Sequence, residues 1–406
     1  MATKHNYIGI EKFAPFLIKK AAIIDSGVAE YHQVPNVLPS NSYVLPIVKP
    51  SLKYNTGSNQ QAAFSQNSSM QFDELQIGVD RLEINLEVSK DAVRDAVYSS
   101  LLSDVDGRRP EDLSEHEFKA EVLTYFGRLV KRQMLADLDK FLICGKDVFG
   151  SHLAKITSNY SNFKMTGLLS GANVDLASER ITLINASNGV SITASKTVQP
   201  NGTEKVVLSL SVPTATVDLS YLKSKRNISV FDVDGVGVIP FDARIVAPYN
   251  VSGGNQTFAI EFFAPAGYTY NQVDLVKDDN FEKKLQAAAS FAAELEALGG
   301  ADVRLVMNSS EFLRYNQLVH AGIALPTDTV NRYQGFQITV IPAMQNGILV
   351  ATKEACHVVS GAAANDVQGE DLQIYDLSII GEKKYRARLS VMVGAMAQYE
   401  YTTLFV

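Results

Sequence analysis

The 406-residue chain has only two cysteines, Cys144 and Cys356. Both stand among apolar residues, so they read as buried thiols of a reducing compartment, and a disulfide-stapled scaffold is excluded. Basic charge is also scarce: 37 Lys and Arg against 44 Asp and Glu give a net charge of −7, and Lys19 with Lys20 makes only a small pair. A surface whose main task is to grip nucleic acid needs concentrated Lys and Arg to neutralise phosphates, so that role is excluded as primary. Long hydrophobic runs are missing too. The apolar patch from Phe13 to Ile18 follows Glu11 and stops at Lys19, too short for a membrane span or a secretory core, and a cytosolic product is the default. Sequons such as Asn201-Gly202-Thr203 then carry little meaning. Charged residues make up 20% and hydrophobic ones 46%, which argues against disorder. At this length two or three domains with a sizeable core are expected.

Catalytic constellations are lacking as well. His5, His32, His116, His152, His320 and His357 are scattered without ligand spacing. His116-Glu117 begins like a zincin motif, but Ala120 occupies the place of the second histidine, so capping and solvated-face roles fit better. Asp232-Val233-Asp234-Gly235 lacks the remaining acids of a calcium loop, and a β-turn accounts for it. Gly235-Val236-Gly237 leads into Val238-Ile239-Pro240 with no lysine and no helix start, so it is not a phosphate loop. No G-x-S-x-G elbow occurs, and neither cysteine has electropositive neighbours. The expectation is a non-enzyme with no catalytic, cofactor-binding or metal-binding residues and no cofactor.

What is present is a long helical pattern over residues 115–144. Phe118, Val122, Tyr125, Leu129, Met134, Leu138 and Phe141 recur at helical spacing, Ser114 and Glu117 form a capping box, and Gly145 supplies a stop. Such a helix would be about 45 Å long, a spine rather than a core helix. Before it, residues 1–35 read as a mixed amphipathic arm broken by Pro15. Residues 36–79 read as a long hairpin with strands near Tyr43–Val48 and Gln71–Val79 and a polar tip, a piece that cannot order itself. Leu82, Ile84, Leu86 and Val88 alternate with Arg81, Glu83, Asn85 and Glu87 as a half-buried strand, and Ser89 caps a following helix.

From about Gly171 to Thr269 helical periodicity gives way to short strands. They are expected at Arg180–Ile184, Val190–Ala194, Lys205–Ser211, Ile228–Asp232, Ala243–Val246 and Thr257–Phe263, separated by turn signals such as Asn188-Gly189. This predicts an all-β unit at 171–275, inserted into an α+β body. Helix returns at Asp279–Leu298 with Gly299-Gly300 as its stop. The strand VRLVM, a helix capped by Asn308 with Glu311, the strands GFQITVI, GILVA, CHVVS and LQIYDLSII, and a β-rich C-terminus complete the body. In that terminus Tyr385, Ala387, Leu389, Val391 and Val393 share one side.

In order and spacing these elements resemble the major capsid protein of tailed double-stranded DNA bacteriophages, the Hong Kong 97-like fold. The resemblance is carried by the arm, the hairpin, FDELQIGVDRLEINLEVSKDAV, the helix ending FLICGK, VRLVMNSSEFLRYNQLV, GFQITVIPAMQNGILVATKEACHVV and YRARLSVMVGAMAQYEYTTLFV. Together they cover about three quarters of the chain. It implies an N-terminal arm at 1–35, an extended loop at 36–79, a peripheral domain at 80–170, the insertion at 171–275 and an axial α+β domain at 276–406 with strands returning to the periphery. It also implies copies of the chain in hexamers and pentamers that enclose DNA without reading its sequence. Portal, scaffold or decoration proteins would be partners, no membrane would be involved, and the virion would be the location after assembly in the host cytoplasm. A modestly acidic chain suits a shell in which DNA must slide. Some such shells carry Lys-to-Asn links between subunits, which would involve Lys49 or Lys53 and Asn308 or Asn316; ordinary solvated lysines and a noncovalent shell are the expectation. An encapsulin-like compartment shell and a β-rich attachment or carbohydrate-binding protein are the alternative readings.

Overall fold

The alternation from Arg81 to Val88 becomes the strand Asp80–Ser89, which pairs antiparallel with the C-terminal strand Lys384–Ala397 from Asp80 opposite Val393 to Ser89 opposite Lys384. The computed structural model describes residues 32–34, 42–51, 69–92, 137–147, 149–156, 159–234, 239–277, 280–320, 331–361, 373–376 and 383–406. The expectations for most of 1–35, for the hairpin tip, for residues 93–136 with Leu129, and for His5, Lys53 and His116 lie outside these residues.

Lys384–Ala397 is the centre of a five-stranded sheet, flanked on its other side by Cys356–Gly361 and Gln373–Asp376. The end of the expected arm, His32–Val34, adds a parallel strand to Cys356–Gly361, with His32 opposite His357. Of the side expected to be shared in the C-terminal strand, Tyr385 and Val393 are buried, and the strand's second half also buries residues of the other side. Met392, Val393, Ala395 and Ala397 are all buried, because here the strand is covered on both faces and alternation has no solvent side to mark.

A six-stranded sheet runs in the order Arg332–Tyr333, Phe336–Val340, Val303–Met307, Ile348–Thr352, Thr402–Phe405, Asn173–Asp175. The helix Phe281–Ala297 covers it, setting Leu285, Ala288, Ala292 and Leu295 against Leu305, Val350 and Phe405. Asn280 Oδ1 caps this helix by accepting the Lys283 N–H at 2.9 Å. At its other end Gly299, at φ 89°, turns the chain so that the Gly300 N–H reaches the Leu295 carbonyl.

The third sheet has seven strands in the order Glu179–Ile184, Gln272–Lys277, Asn227–Val233, Phe241–Ser252, Asn255–Pro265, Thr203–Pro213, Ser191–Val198. It curls around its own core of Val206, Leu208, Val230, Ile260, Phe262, Val273 and Leu275. The six strands expected here are present, each longer than its apolar signal. The Asn188-Gly189 turn has φ of 50° and 76°, as a tight hairpin requires. Gln272–Lys277 was not expected as a strand: four successive buried residues leave no alternation to read. The whole is a mixed α+β architecture with a curled antiparallel sheet. Among the described residues no helix is long and apolar enough to cross a membrane.

Candidate functional site

The strands Ser42–Ser51 and Ser69–Gly78 pair over ten rungs, from Ser42 opposite Gly78 to Ser51 opposite Ser69, and make a two-stranded ribbon. Its apolar face presents Tyr43, Leu45, Ile47, Leu75 and Ile77; among the residues of described burial the base is the covered part, where Ile77 and Val79 pack with Val359 and Met392. Val44, Pro46, Asp73, Glu74 and Gln76 are exposed.

The base of the ribbon is fixed by the segment 163–171, which threads between the ribbon, residues 144–146 and the C-terminal strand. Thr166 holds Gly78 twice, its N–H donating to the Gly78 carbonyl at 3.1 Å and its Oγ1 accepting the Gly78 N–H at 2.9 Å. The Ala395 N–H donates to Thr166 O at 3.0 Å, the Lys146 N–H to Met165 O at 2.7 Å, and the Lys164 N–H to Asp80 Oδ2 at 2.9 Å. Backbone meets backbone at these crossings. A Cβ on Gly394 would overlap the Gly78 carbonyl, and one on Gly167 would overlap Gly145. Gly145, at φ 59°, is the stop expected for the 115–144 helix, of which residues 137–144 are described and helical.

A second constellation is buried where that helix end, the loop 341–347 and the seven-stranded sheet meet. Lys284 Nζ contacts Glu311 Oε1 at 2.8 Å with both side chains at most 2% exposed, and Arg314 contacts Glu311 Oε2 at 3.2 Å. Asn308 Oδ1 accepts the Glu311 N–H at 2.8 Å, while Asn308 Nδ2 donates to Asn346 Oδ1 at 2.9 Å. Asn346 Nδ2 donates to Ser229 Oγ, whose hydroxyl donates to Asp242 Oδ1 at 3.2 Å. Lys140 Nζ at 3.4 Å and Cys144 Sγ at 3.1 Å both approach Gln345 Oε1. The N-cap expected at Asn308 is present, but Glu311 turns to Lys284 and Arg314, because a buried ammonium demands a carboxylate more than a backbone N–H does.

Burial pushes the Asp242 carboxyl above its ordinary range, against the opposing pull of Lys140, the Ser229 hydroxyl and the Asn346 N–H. The folded protein therefore binds this proton more tightly than the unfolded chain, so Asp242 favours folding increasingly as pH falls toward 3.8 and opposes it as pH rises. Asp242→Asn should accordingly raise the melting temperature at pH 7 more than at pH 4.5, as read by paired thermal melts. An equal shift at both values would show that the carboxyl is not held up by burial.

The lone acids behave as structural groups. Asp234 is pushed up by burial but held below the usual range by the N–H groups of Tyr270, Thr269 and Asn271 and the Thr269 hydroxyl, so the expected turn at 232–235 also clasps the segment 269–271. Cys144 and Cys356 are buried thiols outside any disulfide, and burial pushes the Cys356 thiol up to about 12. Among the described residues no group of three or more His, Cys, Asp or Glu is placed to hold a metal. Asn308, considered for an intersubunit link, has both ends of its amide engaged within the chain, and Asn316 is half-buried. Lys49 lies in the ribbon. The sequence reading missed the buried Lys284–Glu311–Arg314 group; a lysine inside the apolar stripe of 281–295 was the available signal.

No protein-family model matches the chain, and no curated protein sequence matches it. Among solved structures it is similar to the capsid of an empty GTA particle, at 12% identity and a TM-score of 0.40, over 95% of this chain and 89% of that one. It is also similar to a chain from Microbacterium phage Oxtober96, at 10% identity and a TM-score of 0.41, over 94% and 90%. A chain from Mycobacterium phage Adephagia stands at 10% and 0.41, over 94% and 89%. At these values the likeness is one of general arrangement.

Proposed function

We propose that this chain is the shell-forming subunit of a tailed-bacteriophage capsid, assembling as hexamers and pentamers around double-stranded DNA. The observation that carries the reading is the ribbon, which extends over ten rungs while, among its residues of described burial, only Ile77 at the base is buried. An isolated two-stranded ribbon is marginal in water, and its half-covered apolar face calls for another surface. Copies of the chain meet that need: contacts between unlike surfaces close into rings, and a projecting ribbon increases the area buried per subunit. In this reading the arm is 1–35, the extended loop 36–79, the peripheral domain 80–170, the inserted β domain 171–275 and the axial domain 276–406 with strands returning to the periphery, except that Asn173–Asp175 pairs with Thr402–Phe405 and so goes with the axial sheet. The protein acts by assembly and not by catalysis, with portal, scaffold or decoration proteins as candidate partners and the virion as its place.

Negative-stain microscopy of the purified full-length chain tests this. Closed shells or their hexameric and pentameric pieces are expected, with tryptic cleavage in residues 50–70 slowed in assemblies relative to monomer. A chain that stays monomeric at tens of micromolar across salt and pH would overturn the reading.

A further inference from the structure

The two edges of the ribbon are not alike. In an antiparallel pair the N–H and C=O of one residue both face the partner strand or both face away, alternating along the strand. Gly78 faces away, since its N–H and C=O are both taken by Thr166. By alternation Gln76, Glu74, Phe72 and Met70 also turn their backbone groups outward. Across the ribbon the register sets these against Val44, Pro46, Val48 and Pro50, which form the opposite outer edge. Two of those four are prolines with no N–H to give, so that edge cannot extend the sheet. The 69–78 edge carries no proline, and this chain's own Thr166 already occupies its first position, with its backbone N–H on the Gly78 carbonyl and its hydroxyl on the Gly78 N–H. Among the described residues no strand pairs with it further out.

We propose that the outer edge of Ser69–Gly78 takes up an extended segment of a second copy of the chain, which hydrogen-bonds to the outward N–H and C=O groups of Gln76 and Phe72 and to the Glu74 carbonyl between them, the Glu74 N–H being held by Asp73 Oδ1 at 2.9 Å. The proposal rests on the shell reading and names the contact by which the ribbon engages its neighbour. It is β-strand addition, in which backbone groups supply the affinity. Asp73 and Glu74 are both exposed near the middle of the strand, and a two-fold pairing of this edge with itself would bring the acids of the two copies together. The added strand is therefore a different segment of the second copy, and the contact runs head to tail, which is the type that closes into rings.

The test pairs two prolines. Gln76→Pro removes an outward N–H from the open edge, and Val44→Pro removes its counterpart from the edge that Pro46 and Pro50 already close; neither breaks a ladder bond. Gln76→Pro should remain folded by circular dichroism and lower the assembled fraction at least tenfold, while Val44→Pro should assemble as the wild type does. Hydrogen exchange on the unaltered protein gives a second readout: amides of Phe72 and Gln76 should slow on assembly while those of Val44 do not. Equal assembly of the two variants, or Phe72 and Gln76 amides that exchange at the same rate in shells and free chains, overturns the edge while leaving the shell reading intact. Absence of any assembly by the wild type overturns both.

Discussion

Glu311→Ala is expected to cost about 3 to 5 kcal/mol and to abolish soluble, folded protein at 37 °C, because it removes the carboxylate that faces Lys284, a cation whose side chain is 1% exposed. The carboxylate is shared: Lys284 takes one oxygen and Arg314 the other, at 2.8 and 3.2 Å. Removing it takes the carboxylate away from the buried ammonium and loosens the partly buried guanidinium that lies 4.8 Å over the Phe281 ring. The double variant Lys284→Met with Glu311→Leu should recover most of that loss, since a buried ion pair replaced by packed apolar groups is often neutral. The measurement is the urea midpoint of the three proteins. A Glu311→Ala midpoint within 0.2 M of the wild type would mean that water reaches this group and that it does not anchor the 309–320 helix on the 281–297 helix.

Gly394→Val should be comparably damaging, and through backbone instead of charge. A Cβ at this position falls within contact of the Gly78 carbonyl and 3.3 Å from Val79 Cα, neither of which is a flexible side-chain end. The strand would have to part from Asp80–Ser89 at its last rung, where Val393 faces Asp80, and the Thr166 clasp on Gly78 would be displaced with it. Overpacking of this kind costs about 1 to 3 kcal/mol or more, and here it acts on the joint that aims the ribbon. The expected result is low soluble yield, and no shells by negative stain from whatever protein folds. Wild-type yield with wild-type shells would show that the crossing can open without consequence, and that the ribbon's direction is not set there.

The two variants probe features of different visibility. The alternation of Leu82, Ile84, Leu86 and Val88 announced its strand, and Gly299-Gly300 announced the end of a helix, because solvent on one side imposes a period and chain reversal imposes a residue type. Asn188-Gly189 did the same for its hairpin. The strand Gln272–Lys277 gave no such sign, since burial on both faces erases the period. The chemical expectation that cysteines and single acids are structural came from the absence of partners nearby in sequence, and the Asp234 clasp shows how a distant partner forms: its N–H donors lie about 35 residues away.

By itself the sequence determined strands such as Asp80–Ser89 and helices such as Phe281–Ala297, in which one face meets water, and the placing of turns such as Asn188-Gly189. Tertiary structure alone decided which strands neighbour which, that Thr166 would take the first place on the 69–78 edge of the ribbon, and that Lys284 and Glu311, 27 residues apart, would share a buried contact. The reason is one of range. Periodicity and turn chemistry act through a few adjacent residues and are written in them. Backbone crossings such as Gly78 with Gly394 and ion pairs inside a core instead depend on separations that only the packing of sheets and helices brings to a few ångströms.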